Sequence, residues 1–473
     1  MSPTRPSYSP SYSPSYSPSS LPRAVLRALP LAAALTFAFA SGVQAQSLVQ
    51  LYDAARGHDA TYIAAKSLYD ANLAKANQTL GGILPNIALS ASVSRTYFDM
   101  RYDSGVTPPG FINPRYYGTA SGGVTLTQPL YRPAVWYTYK QGGPLLQQAA
   151  AQYEAAEQDL LVRVSQAYFD VLTSEDSLEL VQAQKKAVGE QLASAKRNFE
   201  VGTTTITGVR DAQARFDLTT AQEIAADNDV RIKRLALDLV VGLSNAKPKR
   251  LIDNSLLVKA PSEDVNVWVS QSESVSPAVR QAQLALDVAT LEVSKAQAGH
   301  KPTLDAQVNY AGTRNTSGTS NTTTSVSDTH IYTPSAAIVL NLPIFSGFAT
   351  DYRIKETVSL ESKARADLEA AKRSTAQATR TAYFGVVSGL SQVQAYEAAE
   401  ASSQSSLDAN KLGYSVGVNI NIDVLNAQSQ LYQTKRDLAK ARYDVLVGTL
   451  KLRQAAGTLT PLDLQPINAL LKP

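Results

Sequence analysis

The tripeptide Ala167-Tyr168-Phe169 occurs a second time as Ala382-Tyr383-Phe384, and the two copies lie 215 residues apart. Three further pairs keep the same offset: Val201-Gly202 with Val416-Gly417, Ala212-Gln213 with Ala427-Gln428, and Gly242 with Gly457. A constant offset indicates a duplicated unit, and a period this long is not that of a solenoid. We therefore predict two pseudo-symmetric halves, a first repeat over residues 46–267 and a second over residues 268–473.

Each half is predicted to contain a helix, two strands, a long helix, a short turn and a return helix. The predicted ranges are 47–80, 84–94, 124–127, 144–200 and 207–241 in the first repeat, and 272–299, 304–310, 336–344, 349–413 and 422–455 in the second. At 1.5 Å per residue the two long helices would span roughly 85–100 Å, which is longer than a globular domain.

Apolar residues recur with a seven-residue period along the first long helix, which predicts coiled-coil packing. The series is Leu160, Val164, Ala167, Val171, Leu178, Val181, Val188, Leu192, Ala195 and Phe199, interrupted by Ser174 and Lys185. Matching positions of the second long helix are polar or small, among them Thr375, Thr379 and Gly389. We interpret that face as turned to water inside a tube.

The predicted strands alternate between apolar and polar residues. In residues 84–94, Ile87, Leu89, Ala91 and Val93 share one face, and small polar residues occupy the other. Aromatic residues cluster where the strands end: Tyr97, Phe98, Tyr116, Tyr117, Tyr131, Trp136, Tyr137, Phe345 and Phe348. A two-residue period with aromatic ends is typical of a membrane β-barrel or of a half-buried sheet.

The N-terminus has the pattern of a secretory leader. Arg23 and Arg27 precede an apolar run over residues 28–40, which is too short for a membrane anchor, and Val43 and Ala45 suit cleavage after Ala45. We therefore predict that residues 1–45 are a leader with a signal peptide. The remaining chain has no run of 18 apolar residues, so it is either soluble outside the cytoplasm or crosses a membrane as β-strands.

Composition argues against several classes of function. The net charge is +4, and the leader accounts for most of it because it holds three arginines and no acid, so a nucleic-acid partner is not expected. The chain has no Cys, and we predict no metal site, no cofactor and no enzymatic activity. Carboxylates such as Asp170, Glu175 and Asp176 could pair in a secreted hydrolase, but on a helix they are interpreted as a solvated face.

Four strands per chain are too few to close a barrel, since single-chain barrels need at least about eight. An open sheet edge cannot face lipid, so a membrane-spanning sheet would require several copies of the chain. Two copies would give eight strands around a filled interior, and three would give twelve with room for a lumen.

In this order of elements the chain resembles the TolC family of trimeric outer-membrane efflux and type I secretion channels. The matching segments are 166–172, 198–203, 298–305, 404–409, 413–417 and 423–425. The resemblance implies a mixed α and β fold in a homotrimer. Four strands per chain would contribute to a 12-stranded outer-membrane β-barrel in contact with outer-membrane lipid, and the helices would form a long periplasmic coiled-coil tunnel.

The function implied by the resemblance is a channel-tunnel that exports proteins or small molecules across the outer membrane of a Gram-negative bacterium. The channel would work with a periplasmic adaptor protein and an energised inner-membrane partner, either an ABC transporter or a proton-driven pump. The residues alone also leave open a periplasmic coiled-coil adaptor or structural rod. That alternative accounts for the helices but not for four alternating strands with aromatic ends.

Two groups of site residues follow from the resemblance. The adaptor would dock at the two turns, formed by Val201, Gly202, Thr203, Val416, Gly417 and Val418. Their glycines can adopt positive φ and allow close approach of a partner helix, although the same glycines would serve a turn without any partner.

The second group would form a gate beside the turns, and it comprises Thr207, Gly208, Tyr414, Asn419, Asp423 and Asn426. Gly208, Asn419 and Asn426 depart from the family's Asp, Arg and Asp, so the charged link between the halves is missing. We expect Asn419 and Tyr414 to bond to backbone or to each other instead. We also expect a pore that is closed at rest, with Asp423 as its main cation-selecting residue. Alternatively, Asp423 caps the return helix.

Overall fold

The computed structural model describes residues 45–100, 112–113, 115–202, 205–252, 261, 263–319 and 327–472, so the predicted leader and Thr203 lie outside the described residues. The helices are α1 (Leu48–His58), α2 (Ala60–Leu80), α3 (Pro133–Glu200), α4 (Ile206–Val241), α5 (Val265–Val275), α6 (Pro277–Gln297), α7 (Ala349–Ser415), α8 (Asn421–Ala455) and α9 (Leu464–Asn468). The strands are β1 (Asn86–Phe98), β2 (Arg115–Tyr131), β3 (Thr303–Thr316) and β4 (Thr329–Asn341). Within the described ranges, no helix combines the length and the apolar character needed to cross a membrane.

The strands form one antiparallel sheet in the order β1-β2-β3-β4, and its register separates an apolar face from a polar face. On the apolar face Leu89 lies opposite Val124, Val124 lies opposite Tyr310, and Ile338 lies opposite Ala306. These side chains are largely exposed in a single copy of the chain, so the apolar face has no cover within that copy.

Hydrogen bonds between side chains run across the polar face. The Ser92 and Ser121 hydroxyls lie 2.8 Å apart, and the Thr125 hydroxyl donates to Asn309 Oδ1 at 3.0 Å. The outer strands β1 and β4 have no partner beyond them among the described residues. Both edges therefore present unpaired backbone groups.

The helices pack as two four-helix layers that share α3 and α7. Beside the sheet the order is α2-α3-α6-α7, and on the side away from the sheet it is α4-α3-α8-α7. Most of the predicted seam along α3 is buried, including Leu160, Val171, Val188 and Leu192, whereas Phe199 at its end is 43% exposed. α7 is an outer helix of both layers, with α5 packed against part of it, and most of its residues are not buried by described residues.

The main hydrophobic core lies near the middle of the helical part, where α1, α3, α8 and the C-terminal segment meet. Tyr168 and Phe169 are fully buried there. The Tyr168 hydroxyl donates to the Lys249 backbone oxygen at 2.8 Å, which anchors the segment that follows α4. Leu251 forms an isolated antiparallel bridge with Leu471, so both closing segments are held at this level.

The first long helix begins at Pro133, earlier than the predicted start at residue 144, and it continues through Pro144. The prediction was wrong because Gly142-Gly143-Pro144 has the composition of a break. In the structure a Cβ on Gly142 would lie 2.8 Å from Thr79 Oγ1. Gly142 therefore allows α2 to pack closely against α3, and it does not end the helix.

The helices predicted over residues 47–80 and 272–299 are each broken once. The first is interrupted at Asp59, whose carboxylate accepts a hydrogen bond from the Tyr62 backbone at 2.8 Å and forms an ion pair with Arg163. The second is interrupted at Ser276, followed by Pro277 as the first residue of α6. All four strands are also longer than predicted, although β1 starts two residues later, at Asn86, and β4 stops at Asn341 and leaves Ile344 outside the strand.

The sequence suggested that the polar positions along α7 face water. In the structure some of them are buried. Thr375 and Thr379 are buried, and the Thr379 hydroxyl donates to the Thr375 backbone oxygen at 2.9 Å. A Cβ on Gly389 would lie 2.8 Å from Val445 Cγ2, so this glycine lets α7 and α8 approach closely. Small and polar residues here serve helix packing, since a hydroxyl bonded to its own helix can be buried at little cost.

Candidate functional site at the two turns

The two turns that reverse the long helices have matching backbone geometry. Gly202 has a φ of 77° and Gly417 a φ of 80°, the left-handed region in which other residues are strained. Val201 is 73% exposed and Val416 is 66% exposed. A Cβ on either glycine would meet no atom within 4 Å, so no described residue packs against these two glycines.

The second turn is tied to its own helix. The Val418 backbone N–H donates to the Gly413 oxygen at 2.9 Å, and the Asn419 N–H donates to the same oxygen at 3.2 Å. These bonds satisfy a carbonyl that the end of α7 would otherwise leave unpaired. The exposed Val418 side chain then lies beside Gly417 on the surface of the turn.

Asp423 lies in the first turn of α8, and one of its carboxylate oxygens accepts a hydrogen bond from the Ile420 backbone at 3.1 Å. This is the geometry of a helix cap, in which a carboxylate near the helix N-terminus satisfies a free N–H and interacts favourably with the helix dipole. The cap uses the Oδ2 atom of Asp423.

Asn419 and Tyr414 are bonded, but not to each other. The long helices form two helical hairpins, the first of α3 and α4 and the second of α7 and α8. The Asn419 side-chain amide donates to Asn410 Oδ1 at 2.9 Å, within the second hairpin. The Tyr414 hydroxyl accepts a hydrogen bond from the Asn198 amide at 3.2 Å, which joins α7 to the end of α3. Tyr414 therefore connects the two hairpins in place of an ion pair.

Two further contacts join the hairpins without pairing opposite charges. Asn421 is buried, and its amide donates to the Gly208 backbone oxygen at 3.4 Å and accepts a hydrogen bond from Gln191. The Arg215 guanidinium donates to Asn426 Oδ1 at 2.8 Å on the exposed side. Each such bond contributes about 0.5–1.5 kcal/mol, so together they can replace one exposed ion pair of about 0–1 kcal/mol.

The remaining gate candidate, Thr207, has only a local contact. Its hydroxyl lies 2.6 Å from that of Thr205, and both residues are exposed at the start of α4. Three gate candidates, Gly208, Tyr414 and Asn426, thus take part in contacts between the hairpins. The contacts described for Asn419, Asp423 and Thr207 are local.

Sequence reasoning missed Asn198, Arg215 and Asn421, which are bonded to predicted gate residues, and Gln191, which is bonded to Asn421. Three of them come from the first hairpin, and one sequence carries no signal for contacts over this distance. Asn421 was recognisable as a polar residue at the start of α8, since polar residues are frequent at helix starts.

A cation-rich cavity of about 390 Å³ lies next to these contacts, between α3, α4 and α8. Arg215 and Arg436 both line it. Burial lowers the pKa of the Arg436 guanidinium, because the charged form is partly removed from water. Among the described residues there is no cluster of three or more His, Cys, Asp or Glu side chains that could hold a metal ion.

The arrangement defines a class of protein. A sheet with two open edges and with opposite apolar and polar faces, continued by long helices that end in two glycine turns, is one protomer of a membrane export channel. The family model described as outer membrane efflux protein matches residues 51–243 and again residues 268–458. The chain therefore belongs to the outer membrane efflux protein family, and the double match agrees with an internal duplication.

Individual relatives lead to the same family. The chain is 32% identical over 447 residues to outer membrane protein TolC of Vibrio cholerae serotype O1, covering 94% of this chain and 98% of that protein. It is 30% identical to alkaline protease secretion protein AprF of Pseudomonas aeruginosa, covering 82% and 79%. The solved structure of outer membrane protein VceC from Vibrio cholerae matches with a TM-score of 0.71 at 18% identity, covering 87% of this chain and 96% of that one.

The chain is thus a TolC-like outer-membrane channel protein for export, and it extends from the outer membrane of a Gram-negative bacterium into the periplasm. The family, fold class, location and export function predicted from the sequence are confirmed. The docking and gate residues stay predictions.

Proposed function

We propose that three copies of the chain assemble into one export channel, with a twelve-stranded barrel in the outer membrane above a helical tunnel. The observation that carries the proposal is the pair of open sheet edges, β1 and β4, each 13 residues long. If β4 of one copy pairs with β1 of the next, every backbone group at these edges is satisfied and no edge faces lipid. The apolar face then contacts lipid, and the polar face lines the lumen.

The helical layers support the same assembly. On α4, the large apolar side chains that are exposed in one copy are Leu218, Ile224, Ile232, Leu235 and Leu239. Phe384 on α7, at the opposite edge of the layer, is also exposed. A neighbouring copy would cover both edges, because α4 and α7 are the outer helices on the side away from the sheet.

Denaturing electrophoresis of the outer-membrane fraction tests the assembly. We expect a species of three times the chain mass that converts to monomer on boiling. A soluble periplasmic monomer would contradict the channel and favour the coiled-coil adaptor or rod. N-terminal sequencing of the same band tests the leader, since cleavage after Ala45 makes Gln46 the first residue. In the proposed assembly, each copy consists of a first repeat over residues 46–267 and a second repeat over residues 268–473, after removal of the leader over residues 1–45.

We further propose that the turns around Gly202 and Gly417 dock a periplasmic adaptor, and that an inner-membrane ABC transporter or proton-driven pump supplies the energy. The support is that the described residues of both turns are exposed and that none of the described residues packs on their glycines. Deleting the inner-membrane transporter should abolish export while assembled trimers remain.

Substitution of the turn glycines tests the docking. Gly202→Arg and Gly417→Arg should abolish export while trimers still form, because the bulk blocks an approaching helix. Gly202→Asn and Gly417→Asn are the matched controls, since Asn tolerates positive φ better than other residues. Normal export by both Arg variants would remove the docking role.

We propose as cargo either a secreted protein or small molecules. A secreted protein is the cargo suggested by the relative named for alkaline protease secretion. Export assays with a tagged protease and with a fluorescent drug, run on the same strain, distinguish the two.

The proposed gate is held by hydrogen bonds without an ion pair, with Asp423 as the main cation-selecting group. Asp423→Gln separates charge from capping, because Gln near a helix start can still accept from the backbone but carries no charge. Single-channel recording should show weaker cation selectivity and weaker block by multivalent cations in Asp423→Gln. Unchanged selectivity and block would assign Asp423 to the cap alone.

A further inference from the structure

A second site lies at the opposite end of the helices, where the sheet joins α3. A cavity of about 560 Å³ opens there, and its lining includes Ile83, Tyr131, Trp136, Tyr137, Lys140 and Lys301. Its walls combine large aromatic rings with lysines, and the turns and gate residues contribute nothing to it.

The two lysines leave uncompensated positive charge in this cavity. Lys140 Nζ lies 5.8 Å from the centroid of the Trp136 ring and 5.7 Å from that of Tyr137. Neither Lys140 nor Lys301 forms an ion pair with a described residue. The third cation of the lining, Arg132, is neutralised by a bidentate pair with Asp305 at 2.6 and 2.7 Å. Two ammonium groups therefore remain available to an anion.

The cavity is continuous with the apolar face of the sheet. Tyr131, one of its lining residues, lies opposite Leu304, and Leu304 lies opposite Leu340 on that face. A ligand with a charged end in the cavity could thus extend an apolar end along the strands. Tyr and Trp rings are enriched where a bilayer meets water, and Lys side chains reach from such positions towards headgroups.

The equivalent junction of the second repeat lacks this combination. Lys355 corresponds to Lys140 and lies 5.1 Å from the ring centroid of Tyr352, which corresponds to Tyr137. The position that corresponds to Lys301 is Leu84, an apolar residue. Both junctions therefore have a lysine next to an aromatic ring, Lys140 in the first repeat and Lys355 in the second. A second lysine, Lys301, is present at only the first junction.

We propose that this cavity binds the phosphate-bearing headgroup of an outer-membrane phospholipid, whose acyl chains lie along the apolar face. The proposal rests on that face contacting lipid in the assembled channel. Lys140 and Lys301 bind the phosphate, and Trp136 and Tyr137 pack against the glycerol region. Bound lipid would fix the height at which the sheet meets the helices.

Tryptophan fluorescence can report on the site, because the chain has only Trp136 and Trp268. In a Trp268→Phe background, purified trimer in non-ionic detergent is titrated with brominated phosphatidylglycerol, which quenches nearby indole. We expect saturable quenching, and about a tenfold higher half-saturating lipid concentration in Lys140→Ala/Lys301→Ala. The matched control, Lys355→Ala/Lys363→Ala, removes the same charge elsewhere and should bind like the parent.

Two further probes distinguish the sources of binding. Brominated diacylglycerol, which lacks phosphate, should quench weakly, and inorganic phosphate in large excess should displace little lipid. Equal quenching by diacylglycerol, full displacement by inorganic phosphate, or equal binding by the two double variants would each overturn the proposal. If the lysine double variant fails to assemble, Lys140→Arg and Lys301→Arg must restore binding. Trimer formation is scored in every sample, so a failure of assembly is distinguished from a failure of lipid binding.

Discussion

The same tripeptide lies in two different environments. Tyr168-Phe169 and Tyr383-Phe384 have similar edge-to-face ring pairs, with centroids 5.3 and 5.6 Å apart. Phe169 is 1% exposed, whereas Phe384 is 58% exposed. The long helices that carry them have 68 and 67 residues, yet 21 residues of α3 are buried and only eight of α7.

This difference follows from position in the layer. α3 lies between α4 and α8 and is surrounded within one copy, while α7 is an outer helix. Equivalent sequences therefore have different roles. The packing of α3 stabilises the single chain, whereas we propose that the exposed side of α7 packs against another copy. Internal duplication supplied both surfaces from one ancestral pattern.

The largest expected effect separates these two roles. Phe169→Ala should lower the free energy of unfolding by about 3–5 kcal/mol, because it leaves a cavity in the main core. Phe384→Ala should instead lower the temperature at which trimers dissociate, with little cost to the single chain. Denaturant unfolding and heating before electrophoresis measure the two quantities. Unchanged dissociation in Phe384→Ala would mean that no neighbour covers α7 at this position.

A pH-dependent effect on stability is expected from Asp176 of α3. Burial raises the pKa of Asp176 above its ordinary 3.8, although a hydrogen bond from Tyr443 at 2.7 Å opposes the shift. The protonated form is favoured by folding, so this stabilisation is full below pH 3.8 and is lost as the pH rises through the raised pKa. Asp176→Asn should remove that part of the pH dependence.

Unfolding free energies measured at several pH values above 3.8 check this prediction. Ser391→Ala, at the equivalent position of α7, is the control and should leave the profile unchanged. The same slope in Asp176→Asn and the parent would assign the pH dependence to another group.

The smallest effect concerns the hairpin ends. A Cβ on Gly413 would lie 2.7 Å from Asn419 Nδ2, whereas the first hairpin has Asn198 at the equivalent position. Gly413→Ala should therefore break the bond from Asn419 to Asn410, at a cost of about 0.5–1.5 kcal/mol, and raise the resting conductance of single channels. In an Asn419→Ala background the same substitution should have no further effect. A full additional effect there would exclude this contact as the cause.

The sequence was sufficient for features that depend on local periodicity. The alternation of Ile87, Leu89 and Val93 predicted a two-faced sheet, and the seven-residue series through Val171 and Val188 predicted the buried seam of α3. Both patterns report which side chains share a face.

Features that depend on distant contacts were not predictable in the same way. Gly142 was predicted to break the helix because it precedes Gly143 and Pro144, but its role is to let α2 pack closely. Thr379 was predicted to face water because it is polar, but its hydroxyl is buried and bonds within its own helix. The partners of the gate residues, such as Asn198 and Arg215, come from the other hairpin. One sequence without its three-dimensional contacts carries no information on those pairs.

Disulfide cross-linking of the sheet edges tests the central claim most directly, because the natural chain has no Cys. Ser92 and Ser335 are the middle residues of β1 and β4, and both lie on the polar face. We expect oxidised Ser92→Cys/Ser335→Cys to run as a covalent trimer after boiling without reductant. Ser92→Cys alone, and Ser92→Cys paired with Ala336→Cys on the opposite face, should remain monomeric. Cross-linked dimers without trimers, or no product at all, would contradict the assembly of three copies through these edges.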